Sequence, residues 1–344
     1  MVRTAAILGA PGYGGAEVVR LLRAHPQIDA KILVGESNAG NVIGDLYPNI
    51  ADTSSAISKL SDVTEDLQEC DIVFSALPHT AGMAILPSLS SALVIDLSGD
   101  FRLDDEDDYE AWYGAAHADG TVLPSWTYGL TELFRDEIKT ATRIANPGCY
   151  ATAIALAFAP LVAAGLVKDT LVADAMSGTT GAGRVPKAGL HFSHVFEDVR
   201  AYKVGSHQHT PEIEAALERY SNGNASPKLS FTAHLVPMAR GIQATCSAQL
   251  ADGADEDDCM QAFNDAFKLE PFVRIVELPP GTKDVRGSNM AMISCRVDQR
   301  SRRVIVNSVL DNLVKGAAGQ AIQNANLVFD FEETLGLPVD GLYP

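Results

Sequence analysis

The pattern of apolar and polar positions changes regime near Tyr150. Before it, short apolar runs alternate with stretches of helical spacing. TAAIL enters a glycine turn and then a helical stretch whose apolar positions include Val18, Val19, Leu21 and Leu22. AKILV, CDIVFSAL and ALVIDL follow, bounded by turn residues and separated by helix-like connections, and strands alternating with helices predict a parallel, doubly wound sheet. After Tyr150, strand-like runs such as TLVADAMSGTTGAGRVPKAG, LSFTAHLVPMARGIQATCSAQL, RIVELPP, NMAMISCRVDQ and RRVIVNSVLD arrive with few helices between them. They predict an α+β domain on a mostly antiparallel sheet. The last helical segment, DNLVKGAAGQAIQNANLVFDF, starts at an Asp-Asn cap and is expected to return to the first domain. The expected division is therefore residues 1–148 joined by 313–344, and residues 149–312.

Charge narrows the partners. The 344 residues carry a formal charge of -18, which opposes nucleic acid and anionic membranes. Any anionic substrate then requires a local basic pocket. The acidic runs LDDEDDYEAW and ADGADEDD lack calcium-loop spacing and are expected to be solvated faces. The N-terminal apolar patch is too short for a signal segment and no run is long enough to span a membrane, so a cytoplasmic protein is expected. Five cysteines without a C-x-x-C spacing predict neither a disulfide framework nor a zinc site.

Three local patterns carry chemistry. Gly9, Gly12 and Gly15 follow a predicted strand and open a predicted helix, where bare N–H groups and the helix dipole suit a dinucleotide pyrophosphate. Cys149 follows the Asn146-Pro147-Gly148 turn at the expected start of a helix, a place that favours thiolate over thiol and so a nucleophile. Cys70, Cys246, Cys259 and Cys295 are expected to be buried hydrophobes. In SHQH, an extended backbone would project His207 and His209 to one side, with Thr210 capping the next helix and Pro211 at its first position. One of the two is then the candidate base for the thiol. A metal-binding reading of the pair lacks a third ligand, so no metal is expected.

The segments GAPGYGGAEVVRLL, LPHTAG, VIDLSGDFRL, NPGCYATA, SGTTGAGR, HQHTPEIE, HLVPMARGI and DNLVKGAAGQAIQN together resemble the N-acetyl-γ-glutamyl-phosphate reductase family over nearly the whole chain. The resemblance implies an α/β protein: an N-terminal Rossmann-like dinucleotide-binding domain, and an α+β catalytic domain of the semialdehyde dehydrogenase and glyceraldehyde-3-phosphate dehydrogenase type. It implies Cys149 as nucleophile, with His209 as the first choice for acid/base work and His207 in support. The implied cofactor is NADP, met by Gly9, Gly12, Tyr13, Gly14 and Gly15, by Ser37 and Asn38, and by Leu77, Pro78 and His79. Ser177, Gly178, Gly181, Gly183 and Asn312 would meet it from the second domain. Arg102, Asn146, Arg184 and Lys187 are the implied contacts of a small acyl-phosphate substrate, and the implied assembly is a homodimer or homotetramer.

The implied reaction is reduction of an acyl phosphate to a semialdehyde through a cysteine thioester, in arginine biosynthesis. A reductase of carrier-linked aminoadipyl phosphate, from lysine biosynthesis, shares that chemistry and stays open, as does, more remotely, a non-catalytic dinucleotide sensor. Three positions depart from the family's usual pattern. Gln208 stands between the histidines where arginine is frequent, and Gly14 replaces a frequent threonine. Glu36 precedes Ser37 and Asn38 where a serine-arginine pair often meets the 2′-phosphate, which leaves NAD open as the cofactor.

Overall fold

The computed structural model describes residues 2–343, and its chain passes between two units at Gly148/Cys149, Gly316/Ala317 and Leu337/Pro338. In the first unit, seven strands form one sheet: β1 (Arg3–Leu8), β2 (Ile28–Val34), β3 (Ile57–Ser58), β4 (Ile72–Ser75), β5 (Leu93–Asp96), β6 (Thr127–Tyr128) and β7 (Arg143–Ala145). Their order is β3-β2-β1-β4-β5-β7-β6, and every pair is parallel. Leu8 lies opposite Val34 on one side and Ser75 on the other, so β1, β2 and β4 end at a common edge. The order reverses direction at β1 and β4, the switch point where such sheets place their ligands. Ala5–Leu8, Ile72–Phe74 and Leu93–Ile95 are completely buried, which is why these strands read as unbroken apolar runs.

The helix Gly319–Val328 belongs to this unit and is held by amide side chains as much as by apolar packing. Thr131 Oγ1 donates to Asn324 Oδ1 at 2.7 Å, Gln323 Nε2 donates to Glu132 Oε1 at 2.9 Å, and Asn324 Nδ2 donates to the Gly129 carbonyl at 2.8 Å. These groups are buried, and each bond removes a desolvation cost that apolar residues would not carry.

The structure corrects the extent of this C-terminal segment. Residues 313–316 and the tail from Pro338 group with the second unit. The tail leaves because its backbone finds partners there: Asn289 N–H donates to the Pro338 carbonyl at 2.8 Å and Leu342 N–H to the Arg286 carbonyl at 2.7 Å.

The second unit contains β8 (Val167–Ser177), β9 (Arg200–Tyr202), β10 (Lys228–Leu235), β11 (Ile242–Leu250), β12 (Val273–Ile275), β13 (Ala291–Asp298) and β14 (Arg303–Leu310), in the order β12-β13-β14-β11-β8-β10-β9. Four pairs are antiparallel, and β8–β10 and β12–β13 are parallel. The helices Cys149–Ala163, His209–Tyr220 and Glu256–Phe267 pack against it. The first of these is buried from Tyr150 to Val162, as an alanine-rich helix with no polar face must be. The expected α/β architecture with a mostly antiparallel second sheet is the one observed.

Candidate active site

In the first unit, the glycine turn is built for close backbone approach. Gly9 has φ +78°, and a β-carbon on it would lie 2.5 Å from the Ala76 carbonyl oxygen at the end of β4. A β-carbon on Gly15 would lie 2.7 Å from Ala10 Cα. Gly9 N–H and Ala10 N–H donate to the Val34 carbonyl, tying the turn to β2, while Gly12 N–H donates back to Gly9 at 2.9 Å. The helix Tyr13–Leu22 starts there with no side chain capping it, so its first N–H groups face the switch point as an anion cradle. Gly14 is less constrained: a β-carbon there would meet only Ala76 Cβ, at 3.8 Å.

The other first-unit residues divide by what they already touch. Ser37 and Asn38 lie in a single helical turn, Glu36–Asn38, immediately after β2. Glu36 Oε1 accepts the Leu60 N–H at 3.0 Å, which turns its carboxylate toward the backbone of the neighbouring segment. Leu77, Pro78 and His79 follow β4; His79 Nδ1 accepts the Gly99 N–H at 2.9 Å, and the ring packs edge-on to Tyr113. Arg102 donates through Nε to the Asn146 carbonyl at 2.8 Å and through Nη2 to the Leu97 carbonyl at 2.8 Å. Asn146 is fully buried, donating to the Ala317 carbonyl and accepting from Asn324 Nδ2. These bonds make Arg102 and Asn146 braces of the turn that leads to Cys149.

In the second unit, Cys149 is the first residue of its helix and the one cysteine that is not buried. Burial pushes the Cys246 and Cys70 thiols up, away from reactivity. The helix start explains the contrast, because Pro147-Gly148 cannot continue a helix backward while the apolar run after Tyr150 can propagate it forward.

The two histidines come together beside the neighbouring Tyr150. Their rings lie 4.7 Å apart, at 5.6 Å for His207 and 6.1 Å for His209 from the Tyr150 ring. The geometry that joins them is not the extended backbone anticipated. Gln208 is helical, the helix His209–Tyr220 begins at His209 itself, and Thr210 N–H donates to the His207 carbonyl instead of Thr210 capping the helix. Gln208 Oε1 accepts from Lys203 Nζ at 2.6 Å.

The histidines are not equivalent. Burial, with the charges of His209 and Lys203 added, pushes the His207 imidazole down to about 2, so it stays neutral at any working pH. Its Nδ1 accepts the His209 N–H at 3.1 Å, fixing the position of the following residue. His209 Nε2 lies 4.0 Å from Glu212 Oε2, a fully buried carboxylate one turn along the helix. His209 therefore has a carboxylate neighbour on its own helix, while His207 holds the His209 backbone.

Two phenols close this wall. Tyr202 OH donates to Tyr150 OH at 3.2 Å, and Tyr150 OH donates to the His234 carbonyl at 3.1 Å. Burial pushes both phenols up, Tyr202 to about 12, with the Cys149 charge contributing to each.

The loop after β8 is laced to residues 238–241. Gly178 N–H donates to the Gly241 carbonyl, and Thr179 and Thr180 N–H groups donate to Met238 and Ala239. Ser177 Oγ donates to the Gly178 carbonyl, a β-carbon on Gly181 would lie 3.3 Å from Ser177 Oγ, and Gly183 has φ +83° with open space around it. Asn312 accepts the Gly241 N–H at 2.7 Å and donates to Thr180 Oγ1 at 3.0 Å, so both ends of its amide organise this loop. Arg184 and Lys187 are exposed beyond it. Desolvation and the nearby Lys187 charge hold Lys203 below the usual lysine range, and Lys203 is bonded to Gln208 between the two histidines.

Sequence reading missed Glu212, Tyr202 and Lys203. An acid three residues after a histidine on one helix is a legible signal for Glu212. Nothing in the spacing marks the other two, which stand at and just after the end of β9 and meet Gln208 and His207 across the turn that follows.

Family models match both units: the semialdehyde dehydrogenase NAD-binding domain over residues 4–141 and the semialdehyde dehydrogenase dimerisation domain over residues 149–312. Among solved structures, aspartate semialdehyde dehydrogenase II from Vibrio cholerae, solved as a complex with ASA, superposes with a TM-score of 0.74 at 16% identity, covering 96% of this chain and 99% of that one. The enzyme from Candida albicans, solved with NADP, gives 0.67 at 16% identity over 96% and 99%. The likeness to these structures is one of fold, and the two domain matches set the class: a semialdehyde dehydrogenase with an NAD-binding domain and a dimerisation domain. Sequence relatives are more specific. N-acetyl-gamma-glutamyl-phosphate reductase from Shouchella clausii is 45% identical over 343 residues, 98% of this chain and 99% of the relative, and that from Acidothermus cellulolyticus is 46% identical over 346 residues, 98% of each. The chain belongs to the N-acetyl-gamma-glutamyl-phosphate reductase family.

Proposed function

We propose that this protein reduces N-acetyl-γ-glutamyl phosphate to N-acetyl-L-glutamate 5-semialdehyde and phosphate with NADPH, as a step of arginine biosynthesis. The observation that carries the reading is Cys149 at a helix start, followed directly by the tyrosine whose ring meets both histidines. The Cys149 sulfur attacks the acyl carbon, the bond to the phosphate oxygen breaks, and a thioester remains on the chain. His209, whose Nε2 lies 4.0 Å from the Glu212 carboxylate, is the group placed to give a proton to the departing phosphate. The first N–H groups of the helix Cys149–Ala163 are donors for the thioester carbonyl oxygen as charge develops on it. A bound reduced nicotinamide supplies the hydride for that carbonyl. Loss of the aldehyde then returns the Cys149 thiolate, and His209 is recharged from solvent.

The glycine turn of Gly9, Gly12 and Gly15 fits a dinucleotide pyrophosphate, since its glycines let the turn pack tightly against Ala76 and Ala10 and the helix after it starts without a side-chain cap. For the choice of dinucleotide, the Glu36 bond to Leu60 N–H supports NADP, because it draws the acid away from the ribose and leaves Ser37 and Asn38 for the 2′-phosphate. Lys187 and Lys203 supply the local positive charge that the substrate's phosphate or carboxylate requires. The match to a dimerisation domain over 149–312 supports a homodimer or homotetramer built through the second unit. Five cysteines without a disulfide among the described residues support a cytoplasmic address.

The test is the reverse reaction. Oxidation of N-acetylglutamate semialdehyde should proceed with NADP, require inorganic phosphate and be followed by absorbance. Turnover on a carrier-linked substrate alone, or dinucleotide binding with no turnover, would overturn the assignment.

A further inference from the structure

Gly316 comes to Cys149 from the far end of the same unit. A β-carbon on Gly316 would lie 2.8 Å from Cys149 Cβ, 3.2 Å from Cys149 Cα and 3.2 Å from Leu310 Cδ1. The nearest two are the root of the nucleophile and its backbone, neither of which is the far end of a flexible side chain. The φ of Gly316 lies outside the left-handed region, so glycine is required here by space and not by backbone conformation.

The segment that carries Gly316 is held in place. It is a π-helical turn, Val314–Ala318, with Gly316 N–H donating to the Asp311 carbonyl at 2.9 Å. Such turns are rare and recur at functional sites. The Asp311 side chain, fully buried, fastens the turn: Oδ1 accepts the Leu313 N–H at 2.8 Å and the Val314 N–H at 3.2 Å, and Oδ2 accepts the Gly287 N–H at 2.7 Å. Arg240 Nη1 lies 3.5 Å from Oδ1 and balances the buried charge. A turn bonded this way has little room to retreat, so added volume at Gly316 falls on Cys149.

We propose that Gly316 is a positioning residue for the nucleophile: the bare face of the π-turn, fastened by Asp311, sets where the Cys149 sulfur stands relative to its helix start. This rests on Cys149 being the nucleophile of the proposed reaction. An added methyl group requires a shift on the order of half an ångström, and misplacement of a reacting group by about 1 Å is enough to cost about a hundredfold in rate.

The experiment compares wild type, Gly316→Ala and a control, Gly189→Ala, whose added methyl meets nothing within 4 Å. Alkylation of Cys149 by iodoacetamide is followed as a function of pH, alongside kcat, KM and NADPH binding. Gly316→Ala should slow alkylation at neutral pH about tenfold or more, move its pH midpoint upward and lower kcat by a similar factor, with KM and NADPH affinity within about threefold. The control should match wild type. If Gly316→Ala does not fold, Asp311→Asn takes its place. It keeps one oxygen for the turn, adds no atom at Cys149, and should move the alkylation midpoint in the same direction by less. An alkylation profile unchanged in the variant that folds overturns the positioning role. A wild-type Cys149 that alkylates no faster than a simple thiol would instead overturn the nucleophile assignment, so the two failures are distinguishable.

Discussion

Two helix starts carry the proposed chemistry of this chain, and they are built differently. The helix Tyr13–Leu22 buries one face through Val18, Val19, Leu21 and Leu22, begins without a side-chain cap, and is approached by glycines from its own turn. The helix Cys149–Ala163 is buried along nearly its whole length, begins at the thiol, and is approached by a glycine from the opposite end of its unit. The first keeps its N–H groups for an external anion. The second has a sulfur of the chain itself at its start, against a packed backstop. A helix dipole is the same physical device in both; what stands at its positive end decides whether the helix binds or reacts.

The comparison breaks most sharply at Cys149. Cys149→Ala should reduce turnover by at least about a thousandfold while NADPH affinity stays within about twofold, measured by steady-state kinetics and fluorescence titration. Wild-type turnover in that variant would remove the covalent mechanism. Gly15→Ala should give the opposite profile. Its added methyl presses on Gly9 and Ala10, so NADPH binding should weaken about tenfold or more and stability fall by about 1–3 kcal/mol. The alkylation rate of Cys149 should not change, and a parallel loss of both would show that the two starts are not independent. The smallest effect belongs to Glu36→Ala. Because the carboxylate is exposed and bonded to Leu60 N–H, its removal should change the NADP-to-NAD ratio of kcat/KM by no more than about fivefold, in favour of NADP. A strong wild-type preference for NAD, reversed by this substitution, would make Glu36 the selecting residue.

Gln208 and Gly14, two departures from the family's usual residues, find plain structural accounts. Gln208 accepts from Lys203, so the position still handles a cation, though as an acceptor instead of as a charge. Gly14 has room for a side chain and imposes no demand of its own.

The local devices were legible because their physics lies within a few residues of chain. A strand followed by glycines and an uncapped helix implies an anion cradle, and a proline-glycine turn before an apolar run implies a helix start at Cys149. Binary pattern likewise separated a parallel sheet buried on both faces from a mixed sheet with alternating burial. The histidine pair was legible in identity and not in geometry. H-x-H suggests strand alternation, whereas the observed turn lets a helix begin at His209 and bring Glu212 one turn below it.

Tertiary structure alone decided the rest, because the deciding distances join residues remote in sequence. Burial between Tyr150, Phe231 and Tyr202 keeps the His207 imidazole neutral, which sets the two histidines apart. Asn312 is spent as a brace between Gly241 and Thr180, a role that its place in a cap-like motif does not announce. The tail from Pro338 leaves the helix before it and joins the second unit, because its backbone groups find partners at Arg286 and Asn289. The turn that brings Gly316 against Cys149 is fastened by the buried Asp311, which accepts the Leu313 and Val314 N–H groups. Composition and periodicity specify which groups each element offers; which of them meet is set by packing and by the cost of leaving any buried polar group without a bond.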